Sequence, residues 1–184
     1  VSDIFVDATV LVALGAVGEL DLLGAFDGTV AIPDAVRAEV TTEPARTNVD
    51  RFVEDHDIVT GPVETEWTDD AMRVLDEPEP TSDVRVIEGI LDATDGAETA
   101  AEDTVDGNGD AGVTVGLVSE DRRLRTVAEG FGATVTGTFG VVVRAAVSDK
   151  YFSQSQAKRV VRRIDSHGLH LTGELREQAV GEAE

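Results

Sequence analysis

Apolar and polar positions alternate in blocks along this chain. Ile4, Phe5 and Val6 form a short apolar run, Asp7 interrupts it, and Val10, Leu11 and Val12 resume it at once. This pattern predicts a buried strand over 3–7 that runs into a helix over 9–17, followed by a second helix over 19–26. A strand at 29–32 comes next, and Pro33 then opens a helix at a position where its missing N–H costs little. A helix over 48–54 and a strand over 57–59 follow, while the stretch 76–82, with Pro78 and Pro80, predicts no regular element. Further on, helices are expected over 84–91 and 96–105. Asp95 is read as the N-cap of the second of these, with Glu98 at capping-box spacing. The segment 106–112 reads as a loop and 113–118 as a second buried strand. A helix after Asp121 to Gly130, a strand at 133–136 and helices over 139–146, 154–165 and 172–180 complete the chain. Strand and helix alternate throughout, which predicts an α/β fold with a parallel sheet covered by helices on both faces. No internal repeat is visible.

The length, 184 residues, fits one domain with a substantial core. We divide it into a core over 1–150 and a C-terminal helical extension of the same domain over 151–184. Composition then changes the picture. The formal charge is −22, yet 41% of the residues are hydrophobic, so disorder does not follow from the acidity. Only Lys150 and Lys158 are lysines, against thirteen arginines, and the acids are spread along the whole chain. That combination reads as adaptation to concentrated salt, where self-repulsion is screened over about 3 Å at 1 M. Without cysteine there are neither disulfides nor thiolate zinc sites, in keeping with a cytoplasmic protein. No apolar stretch is long enough for a membrane span, so no membrane association is expected.

Against so acidic a background, a carboxylate stands out only by its position. Asp7 does, because an unpaired charge inside an apolar run would cost several kcal/mol. Glu39 in IPDAVRAEV, Glu98 in DGAETAAE and Asp121 in GLVSEDRRLR also sit at element edges. Sites in parallel α/β sheets form at the carboxyl ends of the strands, where Asp7 and Asp121 fall, and Glu39 and Glu98 could join them from helices. Four acids in one cleft call for cations. Mg²⁺ or Mn²⁺ accept oxygen ligands and can activate water for phosphodiester hydrolysis. Each acid also has a plain structural role open to it: Glu98 as a cap partner, Glu39 as a solvated helix residue, Asp121 as a helix cap. Either member of the pair Glu120 and Asp121 could face the metal.

Other motifs carry less. The loop with Asp106, Asn108 and Asp110 lacks the glycine and the final glutamate of a calcium loop. His167 and His170 have no third nitrogen or sulfur ligand nearby, and His167 before Gly168 reads as a helix end. A phosphoacceptor receiver would need a lysine after a late strand, and neither lysine is placed there. Arg122, Arg123 and Arg125, and the group Lys158, Arg159, Arg162 and Arg163, could contact phosphates or pair with neighbouring acids.

FVDATVLVALGAVGELDLL, AIPDAVRAEV, DGAETAAE and LVSEDRRLRTVAEGFGATVTGTFGVVVRA together resemble the PIN-domain nucleases, and among them the VapC-type toxin ribonucleases. The resemblance runs over nearly the whole chain, and its last block is the most specific. It implies a three-layer α/β/α sandwich with a central, mainly parallel sheet. It implies Asp7, Glu39, Glu98 and Asp121 as catalytic metal ligands, Mg²⁺ or Mn²⁺ as the cofactor and single-stranded RNA as the substrate. A homodimer is common in the family, and toxin members pair with a small antitoxin protein. A degenerate PIN domain that binds protein or RNA without cutting is the alternative reading.

Overall fold

The structure, a computed structural model, describes residues 3–61, 63–102, 114–147 and 153–167. The loop expected at 106–112 and the helix expected at 172–180 lie outside these residues. Five strands, β1 (Asp3–Val6), β2 (Thr29–Pro33), β3 (Val59–Gly61), β4 (Gly116–Val118) and β5 (Thr134–Thr136), form one sheet in the order β3-β2-β1-β4-β5. Every pairing is parallel. β1 sits at the centre and its Ile4, Phe5 and Val6 are buried, as a strand covered on both faces requires.

Helices fill the two outer layers. α1 (Ala8–Val17), α3 (Ala45–Asp55), α7 (Thr138–Val147) and α8 (Gln154–Ser166) pack together on one side. α4 (Thr68–Leu75), α5 (Ser82–Glu102) and α6 (Arg122–Gly130) pack on the other, with α2 (Asp34–Glu39) against α5. α1 is apolar on nearly every side and buries Val10, Leu11, Leu14 and Val17. It ends at Gly18, whose φ of 72° is the left-handed cap that glycine adopts without a steric penalty. α8 lies against α1 and α7, and Arg163 donates from Nη2 to the Val17 carbonyl at 2.5 Å.

Two expectations need correction, and one helix lies in a stretch for which no element was expected. The region 19–26 forms a tight 3-10 helix over Leu20–Ala25 in place of an α-helix. The acidic stretch before Pro78 carries α4, whose Ala71 and Leu75 are buried on one stripe of an otherwise polar helix. The two helices expected over 84–91 and 96–105 are one continuous helix, α5, so Asp95 and Gly96 lie inside it and Asp95 is not a helix N-cap. An internal glycine costs a helix about 1 kcal/mol, which the packing of its N-terminal half on the sheet outweighs. At Gly89 the reason for glycine is the reverse, since a Cβ there would run into the ring of Phe5 on β1.

Candidate active site

The order of strands reverses at β1: the chain moves outward to β2 and β3 on one side and to β4 and β5 on the other. This switch point opens a crevice at the carboxyl ends of β1 and β4. Val6 pairs with Val118, and the N–H of Asp7 donates to the Val118 carbonyl at 3.0 Å, so the residues that follow the two strands are neighbours.

Asp7 is the N-cap residue of α1, but its side chain does not cap the helix. Its carboxylate is buried and turns across to β4, where Oδ2 accepts the Ser119 hydroxyl at 2.9 Å and the Thr9 hydroxyl at 3.0 Å. Ser119 is fully buried and its Oγ accepts the Asp121 N–H at 3.0 Å. One hydroxyl therefore ties the two acids expected from the ends of the strands. The Asp121 side chain caps α6 by accepting the Leu124 N–H at 2.8 Å.

Glu39 is the last residue of α2, the end where the helix dipole disfavours an acid. It is exposed, and its Oε1 accepts the Ser82 hydroxyl at 2.5 Å, which links α2 to the start of α5. Beside Ser82 stands Asp83, a half-buried acid that sequence reasoning passed over. Burial, then the charges of Asp7, Asp121, Glu39 and Glu77, push its carboxyl up from 3.8 to about 6. Three of the four nominated acids thus act on Asp83. Glu77 is partly offset by Arg123 at 3.8 Å.

Glu98 is placed elsewhere. It lies on α5 fifteen residues beyond Asp83, which at 1.5 Å per residue is about 22 Å along the helix. The structure brings Asp7, Glu39 and Asp121 to the first turn of α5, and Asp83, not Glu98, meets them there. The pair at the end of β4 also separates. Glu120 turns to the start of α7, where Oε1 accepts the Thr138 N–H at 2.5 Å, and a Cβ at Gly137 would come within 2.8 Å of that oxygen. Asp121, not Glu120, is the member whose charge acts on Asp83.

A signal for Asp83 was present. Pro78 and Pro80 end an irregular stretch, and Thr81 then opens a helix by accepting the Val84 N–H at 3.4 Å. An acid in the first turn of that helix gains from the dipole, and the same turn points at the crevice.

Residues 3–87 match the family model of the PIN domain. The matched stretch runs from β1 into α5 and contains Asp7, Glu39 and Asp83, while Glu98 and Asp121 lie beyond it. No curated protein matches the chain. The all-parallel five-stranded sheet between helical layers is a PIN-like α/β/α sandwich. PIN domains are generally nucleases, so the match supports a nuclease-type function.

Asp7, Glu39, Asp83 and Asp121 are an all-oxygen donor set, the kind hard divalent cations take. Their mutual repulsion, visible at Asp83, is what a cation would relieve. As the side chains stand, no three acids or histidines among the described residues converge on one ligation point. Glu39 and Asp121 are held by Ser82 and by the Leu124 N–H. The donors fit a divalent ion in kind, and these two would have to turn to reach it. Among the described residues no helix is long and apolar enough to cross a membrane.

Proposed function

We propose that this protein is a metal-dependent endoribonuclease, with Asp7, Glu39, Asp83 and Asp121 as the acids that hold Mg²⁺ or Mn²⁺. The observation that supports the reading is the position of Asp83, half-buried in the first turn of α5 beside Ser82, which binds Glu39, and near enough to Asp7 and Asp121 that burial and these charges push its carboxyl up. When bound, the metal would supply charge stabilisation at the scissile phosphate and an activated water. The chain's own residues prepare the place. Ser119 and Thr9 fix the Asp7 carboxylate through Oδ2, which leaves Oδ1 outside both hydroxyl bonds. Ser119 also fixes the backbone of Asp121, and Ser82 holds Glu39 beside Asp83. Glu98, expected from its place at an element edge and from the resemblance, is replaced in this reading by Asp83.

The test is cleavage of single-stranded RNA with Mn²⁺ or Mg²⁺ at molar salt. Asp7→Asn and Asp83→Asn should each abolish turnover, and Glu98→Gln should leave it intact. Cleavage that survives Asp7→Asn would belong to a contaminant and sink the reading. A degenerate, non-cutting module is the second reading, favoured by the engagement of Asp121 as a helix cap. Absence of cleavage with every metal, together with retained RNA binding, would establish it.

The same reading extends to a VapC-type toxin working in a salt-rich cytoplasm, alone or as a homodimer. Its antitoxin would be a small protein that sets a basic side chain among these acids. Isolation from the native host with no small partner bound would argue against the toxin role and leave the nuclease role standing.

A further inference from the structure

On the far side of α2 from the acids lies a cavity of about 510 Å³ between α2 and α3. Arg37 and Arg46 line it, together with Val40, Thr41 and Val49. Arg37 is oriented from within, since its Nε and Nη2 both donate to Asp50 Oδ1, at 3.1 and 2.7 Å. Arg46 is exposed, and its guanidinium has no hydrogen-bond or ion-pair partner among the described residues. Among the described residues it is one of several exposed arginines with no such partner, and the one of them that lines this cavity. The cavity holds two positive groups and two negative ones, Asp34 and Asp50, while the molecule as a whole is at −22.

Position on α2 connects this cavity to the acidic crevice. Arg37 and Glu39 are two residues apart, a spacing that sends side chains to different sides of a helix. Glu39 meets Ser82 on α5, and Arg37 meets Asp50 on α3. A helix with its side chains is about 10–12 Å across, so the arginine cavity stands about one helix width from the acids. An extended single strand of RNA covers that distance within a few nucleotides.

We infer that the α2–α3 cavity is an anchoring subsite for single-stranded RNA, in which Arg46 and Arg37 take a phosphodiester a few nucleotides from the one held at the acids. Arg46 supplies the free fork of donors, which matches a phosphate in a way a lysine would not. Val40 and Val49 offer an apolar floor for the adjoining base. The inference rests on the nuclease reading, and it explains how a strongly negative protein holds a polyanion away from its metal. Long-range attraction is unavailable to it, so contact must be local.

The experiment is equilibrium binding of a labelled single-stranded oligoribonucleotide, without divalent ions and over a range of salt, to the wild type, Arg46→Gln and Asp34→Asn. Arg46→Gln should weaken binding about tenfold and flatten the salt dependence by about 0.7 in log–log slope, the loss of one phosphate contact. Asp34→Asn, which removes one of the two acids of the cavity and leaves Asp50 paired with Arg37, should tighten binding several-fold. Binding by Arg46→Gln equal to wild type overturns the subsite, as does a wild type that binds no RNA. Competition by polyglutamate as strong as by RNA overturns it too, because the cavity would then take carboxylates of a protein partner. The nuclease reading stands or falls separately on manganese-dependent cleavage. Turnover with an unchanged KM in Arg46→Gln removes the subsite alone, and Arg46-dependent binding without any turnover removes the nuclease alone.

Discussion

Asp83 is where the chemistry of single residues becomes measurable. Its carboxyl is raised from 3.8 to about 6 by burial and by the acids around it, so the folded protein holds this proton more tightly than the unfolded chain does. The contribution to stability is therefore complete below about pH 3.8 and is lost as pH rises through about 6. Thermal melts from pH 4 to pH 8 in chelator should show that decline in the wild type and a smaller one in Asp83→Asn. Parallel curves would show that Asp83 does not feel its neighbours. Magnesium should reverse the ranking, raising the melting temperature of the wild type and leaving Asp83→Asn unmoved. Ser119 makes a second prediction at this scale. Ser119→Ala removes the donor to Asp7 and leaves the Asp121 N–H without its acceptor, at a cost of about 1–3 kcal/mol in chemical denaturation. Asp7 was legible in the sequence because a charge in an apolar run demands a partner. Asp83 carried a weaker signal, an acid in the first helical turn after a proline-broken stretch, and only the fold reveals which neighbours surround it.

At the scale of elements, α5 positions the site and its own anchoring can be tested. Glu88 is fully buried; burial would raise its carboxyl, but hydrogen bonds from Thr68, Thr65 and Arg85 outweigh that and hold it below the usual value. Thr68 Oγ1 donates at 2.6 Å and Arg85 Nη1 at 2.8 Å, while the same Arg85 nitrogen donates to the Val63 carbonyl at 2.7 Å. The pair clamps the segment before α4 onto the helix that carries Asp83. Glu88→Ala leaves the Arg85 charge with only the exposed Glu64 at 3.9 Å, and should cost about 3 kcal/mol in urea denaturation. A loss below 1 kcal/mol would show that the clamp is ornamental. Because the folded carboxyl is the stronger acid, this stabilisation is present above the ordinary glutamate range and is lost as pH falls through the folded value. Gly89→Ala should destabilise by about 1–3 kcal/mol through overpacking on Phe5. The strands and most helices could be read from periodicity alone. The boundaries of α4 and α5 could not: the amphipathic stripe of α4 is hidden in acidic residues, and Asp95 with Gly96 imitates a helix start inside a helix held by tertiary packing.

For the whole molecule, the parallel topology follows from alternating strands and helices, but which acids meet depends on β1 standing between β2 and β4. The net charge acts on the molecule as a single object. If the excess of acid is an adaptation to salt, the native state should be strained by self-repulsion when dilute and relieved when the Debye length shrinks from about 10 Å at 0.1 M to about 3 Å at 1 M. The melting temperature should rise with KCl across that range, by about 2–4 °C for each kcal/mol of repulsion removed. General salting effects on apolar burial could mimic such a rise, so a charge variant decides the cause. Glu54, Asp55, Asp57 and Glu129 are exposed and away from the crevice acids. Changing all four to their amides should raise the melting temperature at low salt and reduce the gain on adding KCl, whereas an equal gain in variant and wild type would assign the effect to apolar burial. The crevice acids should respond differently, because ions about 3 Å from a carboxylate screen it and only a bound divalent ion neutralises it. A magnesium-induced rise that persists undiminished in molar KCl would mark those acids off from the rest of the surface charge.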